Sequence, residues 1–200
     1  MSEEAKDILK RHSQEGSRLR EEFFAENSDL LVRISKAAAT CLARGGKLMF
    51  CGNGGSAADA QHLAAEFVNR YRMERPPLPA LALSTDTSVL TAIGNDYSFN
   101  EVFAKQVKAL GQEGDMLFGI STSGNSPNVR EALQQAGDKK IVTAGLLGGD
   151  GGTLLDSCHF ALVVASKDTP LVQEVHIAAG HMLCHLVDYF LFEAVSELDI

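Results

Sequence analysis

Lys47-Leu-Met-Phe-Cys51-Gly52-Asn53-Gly54-Gly55-Ser56-Ala-Ala-Asp-Ala-Gln-His62-Leu-Ala-Ala-Glu66 is the stretch whose reading decides the fold. Residues 47–51 form a short apolar run, as a buried strand does. Three glycines (Gly52, Gly54, Gly55) then make a turn in which backbone approaches a ligand closely. Ser56 is placed to cap the following helix, whose N-terminal N–H groups and positive dipole end form an anion site. Two turns further in, His62 and Glu66 stand at i and i+4 on one face, able to share a metal or a proton.

Outward from this stretch the chain alternates strand and helix. Apolar runs predict strands over 47–51, 79–83, 116–120, 140–145 and 159–164, with helices at about 56–72, 87–93, 99–110 and 127–136. Continuous apolar strands separated by helices imply an α/β fold, a doubly wound parallel sheet covered on both faces. Ligands in such folds bind beyond the carboxyl ends of the strands. Ahead of the core 46–200 lies a helical extension, 1–45, in one domain spanning 1–200. It reads as one helix over 3–25 and a second from Ser28, with Asp29 in its first turn, stopped by Gly45-Gly46. A last helix over 169–196 opens with Thr169 as cap and Pro170 in its first turn. It is apolar on nearly all faces, so it needs more cover than one sheet face supplies. Arg75-Pro76-Pro77-Leu78-Pro79 reads as a stiff lead-in to the second strand.

Composition narrows the function. A net charge of −8 and a pI near 5.2 argue against a general nucleic-acid or membrane-surface binder. No uninterrupted apolar window approaches a membrane span, and the charged N-terminus lacks the apolar core of a signal peptide, so a cytoplasmic protein is expected. Four dispersed cysteines (Cys41, Cys51, Cys158, Cys184) read as buried reduced thiols, with Cys51 no nucleophile.

Two polar loops carry the chemistry. Gly52-Asn53-Gly54-Gly55-Ser56-Ala57 fits the dinucleotide pattern G-x-G-x-x-G/A, but the ribose-binding acid has only Asp86 as a loose candidate. The second loop, Ser121-Thr122-Ser123-Gly124-Asn125-Ser126-Pro127, follows the third strand, with Ser126 as helix cap. Several hydroxyls at a helix start suit a phosphate monoester, which makes this loop the phosphate grip and leaves the glycine turn for backbone contacts to a sugar.

Gly52-Asn-Gly-Gly-Ser-Ala, Gly94-Asn95-Asp96, Ile120-Ser-Thr-Ser-Gly-Asn-Ser126 and Gln173-Glu-Val-His-Ile177 together resemble the sugar isomerase (SIS) family, over nearly the whole chain. The resemblance implies a five-stranded sheet of flavodoxin-like order, a homotetramer around a central helical bundle, active sites near subunit interfaces, and one zinc ion per subunit. It carries the zinc ligands over as His62, Glu66, Gln173 and His181. Gln173 and His181 lie about 12 Å apart along a helix and about 80° around it, so they meet one ion only at full reach or at a loosened helix start. His176 and His185 are read as packing or surface residues. Substrate contacts carry over as Asn53, Gly54, Gly55, Glu66, Asn95, Asp96 and Gln173, with Ser121, Thr122, Ser123 and Ser126 on the phosphate.

The implied activity is aldose–ketose isomerisation of sedoheptulose 7-phosphate to D-glycero-D-manno-heptose 7-phosphate through an enediol(ate), the first step toward ADP-heptose or GDP-heptose and lipopolysaccharide. Glu66 is the expected base and His181 its acid partner. Two alternatives stand beside this reading. One is a non-catalytic SIS protein of the DnaA initiator-associating type, a branch without the Glu and the final His of the zinc set. The other is an NAD-binding protein built on the first loop.

Overall fold

The computed structural model describes residues 2–198. Five strands, β1 (Leu48–Gly52), β2 (Ala80–Ala82), β3 (Met116–Ser121), β4 (Val142–Gly148) and β5 (Phe160–Val164), form one sheet in the order β2-β1-β3-β4-β5. Every pairing is parallel, with Leu48 opposite both Ala80 and Met116. β1 and β3 are buried throughout, which is why both read as unbroken apolar runs. The doubly wound sheet expected from the alternation is present.

Helices α1 (Glu3–Ala43), α2 (Gly55–Val68) and α6 (Thr169–Phe192) cover one face of the sheet, α3 (Thr87–Asp96), α4 (Ala104–Leu110) and α5 (Pro127–Asp138) the other. On the first face Phe67 of α2 stacks on Phe50 of β1, which stacks in turn on Phe118 of β3. α6 lies against both α2 and α1. Its composition and length suffice to cross a bilayer, yet it is a core helix here, with Leu171, Val175, Leu183 and Val187 among its buried residues. α1 supplies the extra cover that its apolar circumference demands. The two run in the same direction, His12 beside Glu174 and Lys36 over Phe190.

Gly180 sets how closely α6 approaches α2. A Cβ there would stand 2.6 Å from a methyl of Leu63, so a larger residue would require the Leu63 side chain or the helix to shift. Leu63 and Gly180 are the chain neighbours of His62 and His181.

Several expected boundaries are corrected. The N-terminal extension is one 41-residue helix rather than two. No glycine or proline interrupts residues 25–29, and the Asn27 side chain donates to the Phe23 carbonyl one turn back, so the helix runs through Ser28. The helix expected at 99–110 splits into a 3-10 turn, Phe99–Glu101, and α4. The Ser98 hydroxyl accepts from the Asn100 N–H and starts that turn. α2 stops at Val68 rather than 72 because its last carbonyls are captured by Arg75. α6 stops at Phe192 rather than 196, followed by a 3-10 turn at Val195–Glu197.

Candidate functional site

Both polar loops lie where a doubly wound sheet binds ligands, at the carboxyl ends of β1 and β3. Their internal bonding differs from the sequence reading. Gly54, not Ser56, is the N-cap of α2, and Ser56 is buried inside the first turn. The N–H groups of Ser56 and Ala57 donate to the carbonyls of Asn53 and Gly54, so this helix start offers little to an anion. At α6 the N-cap is Asp168, with Thr169 inside the helix.

Ser126 does occupy the N-cap of α5, but its hydroxyl bonds to no helix N–H. It lies 2.9 Å from Ser121 Oγ, which lies 3.4 Å from Ser123 Oγ. Three hydroxyls thus face one another at a helix N-terminus, none committed to capping, which is the donor set a phosphate requires. The loop is braced from behind: Asn125 Oδ1 accepts from the Thr153 N–H and the Gly124 carbonyl from the Leu154 N–H. Beside it opens a cavity of about 360 Å³ lined by Thr122, Ser123, Asn125, Lys167 and Thr169. Lys167 gives that cavity a cation and Asp150 an anion, and no motif in the sequence pointed to either.

The two loops are tied to each other. The amides of Asn53 and Asn128 exchange two hydrogen bonds of 2.8 Å, Asn128 being buried at the start of α5. The side chain of Asn53, a residue expected on the substrate, is engaged with Asn128 in this pairing.

α2 and α6 bring the titratable groups together. His62 Nε2 lies 2.7 Å from His181 Nε2 and 3.5 Å from Glu66 Oε1. Tyr71, just past α2, stacks on His181 with centroids 5.5 Å apart and planes at 24°, fixing the ring. Partial burial and the neighbouring His62 lower the His181 pKa, and the Glu66 carboxylate opposes them. The Gln173 amide rests on the backbone of Gly55, in space that any Cβ would occupy. It also bonds Asp59, one turn before His62. Burial pushes the Asp59 carboxyl up, the Gln173 bond opposes this, and one Asp59 oxygen is buried without a hydrogen-bond partner among the described residues. Gln173 sits in the second turn of a regular helix, not a loosened start.

As placed, the two imidazoles bond to each other, and no group of three or more His, Cys, Asp or Glu among the described residues is spaced to hold a metal. Two nitrogen ligands of one tetrahedral zinc stand about 3.3 Å apart. The rings would have to part by about 0.6 Å, with His62 the exposed and movable partner, and the imidazole and carboxylate donors are those zinc takes. The donor set fits the ion.

Asn95 and Asp96 end α3, exposed and bonded to each other, and no hydrogen bond among the described residues joins them to this cluster. Asp86, the loose candidate for a ribose, is spent as the N-cap of α3, accepting from the Val89 N–H at 3.0 Å. His176 is buried against the Leu147 carbonyl and His185 lies at the surface, as read. Cys41, Cys51 and Cys184 are buried and Cys158 partly so, all free. Burial pushes the Cys51 thiol up to about 12, so it is no nucleophile.

The sequence matches the SIS domain over residues 11–148. It is 61% identical to the phosphoheptose isomerase of Nitratidesulfovibrio vulgaris (strain Miyazaki F), across 99% of this chain and 95% of that protein. With the phosphoheptose isomerase of Aneurinibacillus thermoaerophilus it shares 46% identity, over 93% and 95%. Among solved structures it superposes on phosphoheptose isomerase GmhA of Neisseria gonorrhoeae at TM-score 0.85 and 45% identity, covering 92% of this chain and 98% of that one. The phosphoheptose isomerase of Francisella tularensis superposes at TM-score 0.89 and 38% identity, covering 94% and 99%.

Proposed function

The chain belongs to the SIS-domain family, and we propose that it is a phosphoheptose isomerase, interconverting sedoheptulose 7-phosphate and D-glycero-D-manno-heptose 7-phosphate. The observation that carries the reading is the meeting of His62, Glu66 and His181 in a chain whose second loop gathers the hydroxyls of Ser121, Ser123 and Ser126 at a helix N-terminus. Ser121, Thr122, Ser123 and Ser126 hold the phosphate, with the dipole of α5 behind them. Backbone of Gly54 and Gly55 and the amide of Gln173 orient the sugar.

Isomerisation moves one proton between C1 and C2 and protons between the two oxygens. Glu66, held by its own helix beside His62, takes the carbon-bound proton and returns it to the neighbouring carbon. His181 exchanges the oxygen-bound protons, and Tyr71 keeps its ring in place. His62, Glu66, Gln173 and His181 would hold zinc, a Lewis acid that polarises the carbonyl. The Asn95–Asp96 turn, which shares no hydrogen bond with the cluster among the described residues, is read as serving the site of a neighbouring copy in a homotetramer. A cytoplasmic location and a role in lipopolysaccharide precursor synthesis complete the proposal.

The non-catalytic alternative is disfavoured by the retention of Glu66 and His181, and the NAD reading by the commitment of Asp86 to capping. Following the sugar phosphate by NMR tests the proposal.

A further inference from the structure

Arg75 lies in the segment between α2 and β2, where the prolines suggested only a stiff lead-in. Its side chain is 1% exposed and each of its three guanidinium nitrogens donates a hydrogen bond. Nε donates to Asp188 Oδ1 at 2.9 Å, Nη2 to the Glu66 carbonyl at 2.9 Å, and Nη1 to the carbonyls of Phe67, Asn69 and Pro76. The cation therefore closes the C-terminus of α2, where a positive charge and donors to orphan carbonyls are both favourable.

Asp188 stands on α6 seven residues beyond His181, about 10 Å along the helix and about 20° around it, on the same stripe. One planar group thus grips the backbone of Glu66 on α2 and the face of α6 that carries His181.

We propose that Arg75 and Asp188 form a positioning pair that fixes the separation between the His62–Glu66 face and His181. The inference rests on the reading of those three residues as the working site. Stability alone accounts poorly for the pair. Buried ion pairs are often replaced by apolar residues without loss, and Asp188 Oδ2 is buried without a hydrogen-bond partner among the described residues. What an apolar pair cannot supply is a rigid fork bonding one carboxylate and several carbonyls at set angles, and a lysine lacks that geometry too.

The test compares the full-length protein with the double variant Arg75→Met/Asp188→Leu and with Asp188→Asn, each checked for cooperative thermal unfolding. If the double variant does not fold, Asp188→Asn, which keeps the side-chain shape, carries the test. In metal-free, ¹⁵N-histidine-labelled protein the N–H···N bond between His62 and His181 is read directly by NMR. It is expected in the parent and lost in the folded variants. Zinc affinity, by competition with a chromophoric chelator, is expected to fall about 10–100-fold. The turnover number is expected to fall about tenfold, with KM held within about twofold. A folded variant that keeps both the N–H···N signal and parental zinc affinity overturns the proposal. Should the parent bind no zinc and convert no sugar phosphate, the site reading fails while the histidine signal still decides whether the pair positions the rings.

Discussion

His62 Nε2 and His181 Nε2 stand 2.7 Å apart although 119 residues separate them in the chain. One ring donates and the other accepts, so the two nitrogens face each other, with Glu66 Oε1 3.5 Å from His62 Nε2. His62, Glu66 and His181 would be among the residues that hold zinc. The protein is expected to bind one zinc per chain. Loss of an outer partner of a zinc site costs about 10–100-fold in affinity, so His62→Ala or His181→Ala should cost more than about 100-fold. Titration against a chromophoric chelator measures this, and parental affinity in either variant would remove the pair from the metal site.

Glu66→Gln keeps the shape of the side chain and removes the base. Turnover is expected to fall by about 10²–10⁴ while the fold and phosphate binding persist. Steady-state kinetics on the purified variant decide the matter, and near-parental turnover would assign the proton transfer elsewhere.

Ser121 and Ser126 present hydroxyls that cap nothing, so replacing either with alanine costs the fold little and the ligand a charge-assisted hydrogen bond. Such a bond contributes about 1.5–3 kcal/mol, and KM should rise about tenfold or more with a smaller change in turnover. An unchanged KM in both variants would place the phosphate on another element.

The fold was legible because the β1 and β3 stretches have no polar interruption and because glycine-rich or serine-rich loops follow each. Helix boundaries were less so. Ser28, Ser56 and Thr169 all look like caps, but each lies inside its helix, and which residue leaves helical geometry is set by tertiary contacts. Within the site, the spacing of His62 and Glu66 announced a shared face. His181 came only through resemblance, since nothing in a helix apolar on most sides marks which histidine turns toward α2. Asp59, Tyr71, Arg75, Asn128 and Asp188 were not legible at all. Apart from Tyr71, each is a polar residue whose partner lies far along the chain, and a buried arginine reads in sequence like an exposed one.

Stability should fall in mild acid through His176. Its Nε2 donates to the Leu147 carbonyl while Nδ1 is buried without a hydrogen-bond partner among the described residues, and burial lowers its pKa from 6.5 to about 4. The unfolded chain therefore binds the proton first. The contribution is present in full above the unfolded value and is lost as pH falls from about 6.5 to about 4, to the extent of about 3 kcal/mol. Denaturant unfolding across that window should show a slope that His176→Gln flattens. An identical slope in the variant would transfer the effect to other groups.

The central claim is an isomerase acting on a seven-carbon sugar phosphate. Incubating the zinc-loaded protein with sedoheptulose 7-phosphate in deuterated buffer, and following the anomeric protons by NMR, tests it most directly. The account predicts new aldose anomeric signals and deuterium entering C2, the mark of an enediolate, with neither seen for Glu66→Gln. A folded, zinc-loaded parent protein that leaves the ketose spectrum unchanged would contradict it.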